Sequence, residues 1–331
     1  MSTDKNVKQE KTPLEAGRTE QQEVSGAQGK SKPPLKGGMI PREEIKRLRM
    51  RGCLQDREKL DSFKVRVIIR NGLILAEDYR AISEAVERFG SGSVRISSQL
   101  TVDILGVPYV KISPLLDFLA CHGLMTGGTG PELKPVMACN GSNCRFGLID
   151  TLGLADQLQN RFYSAWRGVA LPHKFKIVVG GCPNNCMQPR LSDLGIVGQK
   201  IPVVDADSCR ACEKCQPASA CPAGAVNRGK DRIHVDTDAC IHCGRCLEKC
   251  PFGVFDSCQK GYQVMIGGHG GRKTVEARPL SKIISSEETL MNLVEKALLL
   301  YQKEGIAGER FADTIDRLGF ATVENKLMPI G

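Results

Sequence analysis

The chain has 331 residues, of which 41% are hydrophobic, so it is long enough to bury a core and to form about two domains. Its net charge of +9 is concentrated near the start, because residues 1–60 carry 14 Lys or Arg and 9 Asp or Glu. Only 5% of the residues are aromatic, which argues against a nucleic-acid-binding protein, where a basic stripe with interleaved aromatic residues is expected.

The sequence contains 15 cysteines, and their setting decides how they are interpreted. There is no basic and apolar leader after Met1 and no apolar run that approaches the ~18 residues of a membrane span. We therefore expect a cytoplasmic, reducing location. In such a location, closely spaced cysteines are metal ligands more often than disulfide partners.

Residues 1–38 are polar and contain few branched or aromatic side chains, so we predict a disordered tail there. From residue 39 the hydrophobic periodicity alternates between helical and strand-like, which predicts an α+β fold. The predicted helices cover 42–51, 77–89, 113–124, 287–301 and 308–318. The predicted strands cover 63–70, 93–107, 175–179, 194–197 and 262–266.

The composition changes between residues 203 and 258, where nine of the 15 cysteines occur. We predict a small inserted domain over 203–258, which divides the host domain into 39–202 and 259–331. The insert contains two cysteine runs, each with three cysteines at two-residue spacing and a later Cys-Pro: Cys209, Cys212, Cys215 and Cys221, then Cys240, Cys243, Cys246 and Cys250.

These runs resemble those of bacterial two-cluster ferredoxins, in which each 4Fe–4S cube takes three ligands from one run and the fourth from the other. Structural zinc is disfavoured, because it uses pairs of cysteines. The spacer before Cys221 has five residues where three are usual, which predicts a longer loop. The predicted ligands are Cys209, Cys212, Cys215 and Cys250 (set 1), and Cys240, Cys243, Cys246 and Cys221 (set 2).

Two further cysteine pairs precede the insert: Cys139 with Cys144, and Cys182 with Cys186. We call these four residues set 3. By spacing alone they could hold a third 4Fe–4S cluster or a structural zinc ion. Clusters of the ferredoxin type carry single electrons, so another part of the chain is expected to use them.

The sequence around set 3 resembles the sulfite and nitrite reductase family. The matching stretches are VRISSQLTVDILGV at 94–107, CNGSNCRFGLIDT at 139–151, LPHKFKIVVGGCPNNC at 171–186, DLGIVG at 193–198, YQVMIGG at 262–268 and GERFADTIDRLGF at 308–320. A ferredoxin domain inserted at this place resembles the arrangement in the dissimilatory-type and anaerobic sulfite reductases. Plant and enteric assimilatory enzymes lack it.

The resemblance implies an α+β sirohaem domain in which set 3 holds a third cluster and Cys186 bridges that cluster to the sirohaem iron. It also implies a six-electron reduction of sulfite to sulfide, with electrons passing from the two ferredoxin cubes to the third cluster and then to sirohaem. Nitrite reduction, or a sirohaem-free electron-transfer role, are the alternatives. No G-x-G-x-x-G fingerprint follows a strand, so a separate donor subunit or protein is expected, in an oligomer.

The family binds its substrate anion with two lysines and two arginines. Lys174 and Lys176 match the lysine pair, and Lys134 stands where an arginine is common. Arg95 is retained, whereas Gln99 falls where a second arginine is expected. The loop between Cys139 and Cys144 has four residues where the family has five.

The many carboxylates of sirohaem call for further cations. Arg145, His269 and Arg272 are candidates, because the glycine-rich turn at 267–271 offers backbone amides beside them. A plain hairpin is the alternative for that turn.

Overall fold

A computed structural model describes residues 40–328, so the tail predicted over 1–38 lies outside the described residues. The described residues are organised around two large β-sheets. The first sheet is antiparallel and has the order β1-β2-β4-β3, with β5 paired to β2. Its strands are β1 (Cys53–Gln55), β2 (Ser62–Ile68), β3 (Val94–Ile96), β4 (Thr101–Pro108) and β5 (Met125–Thr126).

Three helices cover one face of this sheet: α1 (Arg42–Met50), α2 (Ala76–Phe89) and α3 (Ile112–Cys121). Phe63, Val65 and Val67 alternate along β2 and point into the same core as the apolar stripe of α2. The opposite face of β2 carries Arg66, and Ile68 on that face belongs to the core of the second sheet. The two sheets are therefore in contact, and Arg66 lies on the face of β2 that is turned toward the second sheet.

The single strand predicted over 93–107 is wrong. The structure has a hairpin there, because Ser97 N donates to the Thr101 carbonyl and Leu100 N to the Ser97 carbonyl. Leu100 adopts a left-handed conformation, with φ of 54°. A tight turn between β3 and β4 therefore carries Gln99.

The second sheet is mixed and has the order β12-β11-β8-β7-β6. Its strands are β6 (Met137–Ala138), β7 (Ile177–Gly180), β8 (Leu194–Val203), β11 (Ser257–Ile266) and β12 (Arg278–Pro279). β6, β7 and β8 are parallel to one another, whereas β11 is antiparallel to both β8 and β12.

Helices pack on the second sheet and complete the main core: α4 (Thr151–Leu158), α6 (Glu287–Glu304), α7 (Phe311–Leu318) and α8 (Phe320–Leu327). Three buried rings meet in this core, with the Phe175 centroid 5.7 Å from that of Tyr301 and 5.2 Å from that of Phe311. No helix within 40–328 is both long and apolar enough to cross a bilayer.

The cysteine-rich segment lies between the two longest strands of the second sheet. β8 and β11 pair over ten residues, from Leu194 with Ile266 to Val203 with Ser257. Residues 204–256 leave from the open end of this ladder. They form a hairpin of β9 (Val226–Arg228) and β10 (Ile233–Val235), a short helix α5 (Gln216–Ala220) and a small core of their own.

Candidate functional site

The four cysteines of set 3 lie on two loops that follow neighbouring parallel strands. Ala138 of β6 pairs with Val179 of β7, and the Cys139 amide donates to the Val179 carbonyl at 3.0 Å. Cys139 follows β6 directly, and Cys182 lies two residues beyond β7. Because parallel strands end at the same edge of a sheet, the two cysteine loops start side by side.

The sulfur atoms of set 3 are close to one another. Burial raises the pKa of the Cys182 thiol, and the nearby thiols of Cys139, Cys186 and Cys144 raise it further. The Gly181 amide donates to the Cys139 sulfur at 3.1 Å. Cys139 and Cys182 are half-buried, whereas Cys144 and Cys186 are exposed, so the set opens toward the surface.

Glycines allow the two cysteine loops to stack. A Cβ atom on Gly181 would lie 2.9 Å from the Gly141 Cα and 3.4 Å from the Cys139 sulfur. A Cβ atom on Gly141 would lie 2.6 Å from Thr151 Cγ2. Side chains at either position would therefore push the loops apart. The short segment between Cys139 and Cys144 closes as a single 3₁₀ turn, Gly141–Asn143.

The start of α4 fastens the first cysteine loop. Asp150 caps the helix by accepting from the Gly153 amide at 3.1 Å. Thr151 Oγ1 donates to the Cys139 carbonyl at 2.7 Å and accepts from the Ser142 amide at 3.1 Å. The loop therefore has backbone partners on both the sheet and the helix.

The three lysines predicted to bind the anion lie on two adjacent extended segments. The Lys134 amide donates to the Phe175 carbonyl at 2.8 Å, and Lys174 and Lys176 flank the fully buried Phe175. The two flanking lysines therefore share one face. Burial lowers the pKa of Lys176, and the neighbouring charge of Lys174 lowers it further.

Lys134 is the most buried of the three. Its side chain is 4% exposed, and Nζ donates to the Gly130 carbonyl at 2.7 Å. Burial lowers the pKa of Lys134 to about 7, while Glu132 opposes this shift and the charges of Arg66 and Lys174 add to it. Arg66 and Lys174 thus lie near enough for their positive charges to lower the pKa of Lys134.

Arg66 is a candidate that the sequence analysis missed. Its guanidinium donates to both carboxylate oxygens of Asp103, at 2.8 and 3.1 Å, and Nη1 lies 3.4 Å from Gln99 Oε1. A cation from β2 is therefore present beside Gln99, which stands where the family resemblance leads us to expect an arginine. On β2, Arg66 alternates with buried valines, a pattern that alone indicates only the polar face of a strand.

Arg95 lies on the outermost strand of the first sheet and is exposed. It pairs with Asp103 in the ladder between β3 and β4, as Arg66 does in the ladder between β2 and β4. Residues directly opposite in antiparallel strands project from the same face, so Arg95, Asp103 and Arg66 form one row. Arg95 is thus at the edge of the cationic group.

Three backbone amides at the start of the glycine-rich turn are engaged in hydrogen bonds within the fold. The Gly267 and Gly268 amides donate to the carbonyls of Asp193 and Ser192, and the His269 amide donates to the Val275 carbonyl. The Val275 amide in turn donates to the His269 carbonyl, so the segment is a hairpin with Arg272 exposed near its tip. The amides of Gly267, Gly268 and His269 are therefore engaged within the fold, and the hairpin alternative describes this turn.

A buried ion pair positions the strand that carries Lys176. Asp193 is fully buried, and its Oδ2 accepts from the Lys176 amide at 3.0 Å. Arg310 Nη2 donates to both carboxylate oxygens of Asp193, at 2.9 and 3.0 Å. Arg310 therefore holds the carboxylate that binds the backbone amide of Lys176.

The cysteines of set 2 surround one pocket in the insert. Cys221, Cys240, Cys243 and Cys246 all line this pocket. Burial raises the pKa of Cys246 to about 11, and the thiols of Cys240, Cys243 and Cys221 add to the shift. The structure thus brings together three cysteines of the second run and Cys221 of the first.

The cysteines of set 1 lie nearer the surface. Cys209, Cys215 and Cys250 border the small core of the insert, while Cys212 is exposed. The two runs share a backbone feature, because Ala211 and His242 occupy equivalent places and both are left-handed, with φ of 46° and 52°.

The loops of set 2 and set 3 approach each other at an aromatic side chain. Phe146 lies two residues after Cys144, with the Arg145 guanidinium 4.5 Å from its ring centroid. The guanidinium of Arg245, which lies between Cys243 and Cys246, is 5.8 Å from the same centroid. The exposed Arg145 therefore belongs to a contact between the insert and the host.

The backbone of strand β8 contacts both the set 2 loop and the set 3 loop. The Lys200 amide donates to the His242 carbonyl at 2.9 Å, next to Cys243. Two residues earlier, a Cβ atom on Gly198 would lie 2.8 Å from the Gly181 carbonyl, next to Cys182. The attachment points are thus roughly 7 Å apart along the strand.

The donor chemistry of each set fits a 4Fe–4S cluster, because each offers thiols, the usual ligands of such clusters. Within 40–328, no three His, Cys, Asp or Glu side chains converge tightly enough to hold a single metal ion. In a cube, each thiolate binds a different iron atom. The remaining cysteines belong to no set: Cys53 is buried, Cys121 is exposed and Cys258 is half-buried.

Comparison with known families covers both halves of the host. Residues 129–329 match the nitrite and sulphite reductase 4Fe-4S domain, and residues 55–120 match the nitrite/sulfite reductase ferredoxin-like half domain. The half domain corresponds to the first sheet and contains no cysteine, so its name does not refer to the cysteine-rich insert.

Individual relatives are similar over most of this chain. The coenzyme F420-dependent sulfite reductase of Methanocaldococcus jannaschii is 31% identical over 74% of this chain and 38% of its own length. The alpha subunit of the dissimilatory-type sulfite reductase of Allochromatium vinosum is 27% identical over 73% of this chain and 63% of its own length. This chain therefore spans less than two thirds of either relative.

Among solved structures, dissimilatory sulfite reductase I matches 80% of this chain and 69% of its own, with a TM-score of 0.66 and 21% identity. This likeness concerns the fold, and together with the family matches it confirms the predicted α+β architecture.

Proposed function

Because the chain belongs to the nitrite and sulphite reductase family, we propose that it reduces sulfite to sulfide at a sirohaem coupled to a 4Fe–4S cluster. The balanced reaction adds six electrons and six protons to hydrogensulfite and yields hydrogensulfide and three water molecules. The chain's task is to hold a small anion and to provide protons to it.

The observation that carries the proposal is a group of cations on the chain segments that also carry set 3. Lys134, Lys174 and Lys176 lie on the segments that lead into β6 and β7, and the set 3 cysteine loops leave the other ends of these strands. Arg66 contributes a fourth charge from the first sheet. Clustered cations with restricted solvent access favour an oxyanion.

Each residue has a proposed role. Lys174 and Lys176 hold the substrate and donate protons, and Lys134 and Arg66 add positive charge. Arg95 contributes from the edge, and Arg145 and Arg272 would meet carboxylates of the tetrapyrrole. Arg310 and Asp193 position Lys176 through its backbone amide.

The cysteine sets would hold the three clusters. Cys186 would bind both the set 3 cluster and the sirohaem iron. When bound, the clusters supply single electrons and the sirohaem iron supplies the site for the substrate. A separate donor protein provides the electrons, and the protein works within an oligomer.

Cofactor content tests the proposal. Three four-iron clusters and one haem iron predict about 13 iron per chain in anaerobically purified protein. The visible spectrum is expected to contain sirohaem bands. About eight iron and eight sulfide, without sirohaem bands, would leave a protein that only transfers electrons and would overturn the proposal.

The role of Cys186 has its own test. Cys186→Ser is expected to abolish sulfite reduction while both insert clusters remain reducible, whereas the control Cys258→Ser keeps activity. A rate near that of the parent would refute the bridging role. Parallel assays with nitrite measure substrate preference, because nitrite is also a small oxyanion that is reduced by six electrons.

A further inference from the structure

The insert has an open, positively charged pocket that the proposed reaction does not use. It is lined by Lys214, Arg245 and Lys249 together with Cys215, and encloses about 680 Å³ including the open mouth. We call this surface the Lys214 pocket. Its three cations are exposed, and none forms an ion pair in the part of the chain that the structure describes. Glu213 and Glu248, the nearest acidic residues in sequence, do not line it.

The Lys214 pocket borders set 1 at Cys215. Lys214 precedes Cys215 and Lys249 precedes Cys250, so two of its cations are adjacent in sequence to set 1 ligands. Cys215 itself forms part of the lining. A protein bound here would contact Cys215 of set 1.

An exposed aromatic residue lies close in sequence to a set 1 ligand. Phe252 follows Cys250 by two residues and is 45% exposed, with the Arg210 guanidinium 5.9 Å from its ring centroid. Exposed aromatic and arginine side chains are enriched in protein interfaces. The residues next to set 1 thus combine unpaired charge with an apolar contact.

We propose that the Lys214 pocket is the docking surface for a small, acidic electron-carrier protein. This inference rests on the proposed function, which requires an external donor. Complementary charge would steer the carrier and orient its cofactor toward Cys215. A 4Fe–4S cluster held by set 1 would accept the single electron that the carrier's reduced centre gives up, with no bond made or broken.

A binding measurement tests the docking surface without relying on catalysis. The probe is a small two-cluster ferredoxin of strongly negative net charge, titrated into the oxidised holoprotein at low ionic strength. The double variant Lys214→Glu with Lys249→Glu is expected to weaken the Kd at least tenfold and to flatten its salt dependence. The matched control is Lys230→Glu, an exposed lysine of the same insert that does not line the pocket. It should keep the parental Kd.

Two further measurements separate the possible failures. Iron content equal to the parent shows that the double variant is intact, and sulfite reduction driven by reduced methyl viologen is expected to be unchanged. If the parent lacks viologen-driven activity, the proposed function fails while the binding result still stands. If the double variant binds ferredoxin like the parent, or if inorganic phosphate alone occupies the pocket and ferredoxin does not bind, the docking proposal is overturned.

Discussion

Arg66 and Asp103 face each other across neighbouring strands of the first sheet and form a two-pronged ion pair, with distances of 2.8 and 3.1 Å. The Arg66 side chain is 12% exposed and that of Asp103 2%. The same guanidinium lies 3.4 Å from Gln99. One side chain thus neutralises a buried carboxylate and brings positive charge to the candidate anion site.

Replacing Arg66 by Met should lower the free energy of unfolding by about 3 kcal/mol, because the buried Asp103 carboxylate loses its partner. The matched control is Arg232→Met, which breaks an exposed ion pair with Asp207 and should cost less than about 1 kcal/mol. Urea unfolding followed by fluorescence of the single tryptophan, Trp166, measures both. Equal midpoints for the two variants would contradict the structural role of Arg66.

Anion affinity is predicted to fall as the pH rises through about 7, because burial lowers the pKa of Lys134 from 10.5 to about 7. Lys134 is charged below that value and neutral above it. Nitrite is a suitable probe, since it stays an anion from pH 6 to 8.5. We expect its Kd, followed by sirohaem absorbance, to weaken about tenfold over this range.

Lys134→Met should remove this pH dependence of nitrite affinity, while the exposed control Lys260→Met should keep it. If nitrite affinity in Lys134→Met kept the parental pH dependence, Lys134 would not be the group that titrates near pH 7.

The lowered pKa of Lys134 also affects the stability of the fold. Between about 7 and 10.5 the unfolded chain binds one proton more at this site, so Lys134 makes the free energy of unfolding rise with pH there.

Lys174→Ala and Lys176→Ala should each lower kcat/KM for sulfite by about tenfold to more than a hundredfold, since each removes a charge-assisted hydrogen bond worth about 1.5–3 kcal/mol. Iron content and sirohaem absorbance should match the parent. Lys260→Ala is the control. Loss of sirohaem in either variant would instead assign these lysines to the cofactor's carboxylates.

Gly181→Ala should disrupt set 3 alone, because the added methyl would meet the Gly141 Cα at 2.9 Å. We expect about five fewer iron atoms per chain, four from set 3 and one from sirohaem, with about eight iron retained in the insert. Gly270→Ala is the matched control, since nothing lies within 4 Å of its added Cβ. Full iron content in Gly181→Ala would mean that the loops can separate without losing the cluster.

Regular periodicity made much of the fold predictable. The helices predicted over 77–89 and 287–301 are confirmed as Ala76–Phe89 and Glu287–Glu304, because their apolar residues recur every three or four positions. Strands were harder to delimit. Leu194–Val203 is six residues longer than predicted, since its later residues pair with β11 through contacts that are distant in sequence.

The parts that were not predicted depend on tertiary contacts. Leu100 does not resemble a turn residue, so the alternating pattern predicts a continuous strand where the hairpin at 97–101 lies. Arg66 resembles any charged residue on the polar face of a strand, because only the second sheet determines what that face meets. Nothing in the local sequence indicates that the amides of Gly267 and Gly268 are engaged, since their partners lie more than 70 residues earlier in the chain.

The ladder between β8 and β11 also bears on how the cysteine-rich segment could be gained or lost. Val203 and Ser257 are paired neighbours, so the segment enters and leaves the host at adjacent points. A tight turn of a few residues could join the same two strands and leave an ordinary β-hairpin. The host topology is complete without the segment, which makes it a module that can be exchanged by a single insertion or deletion.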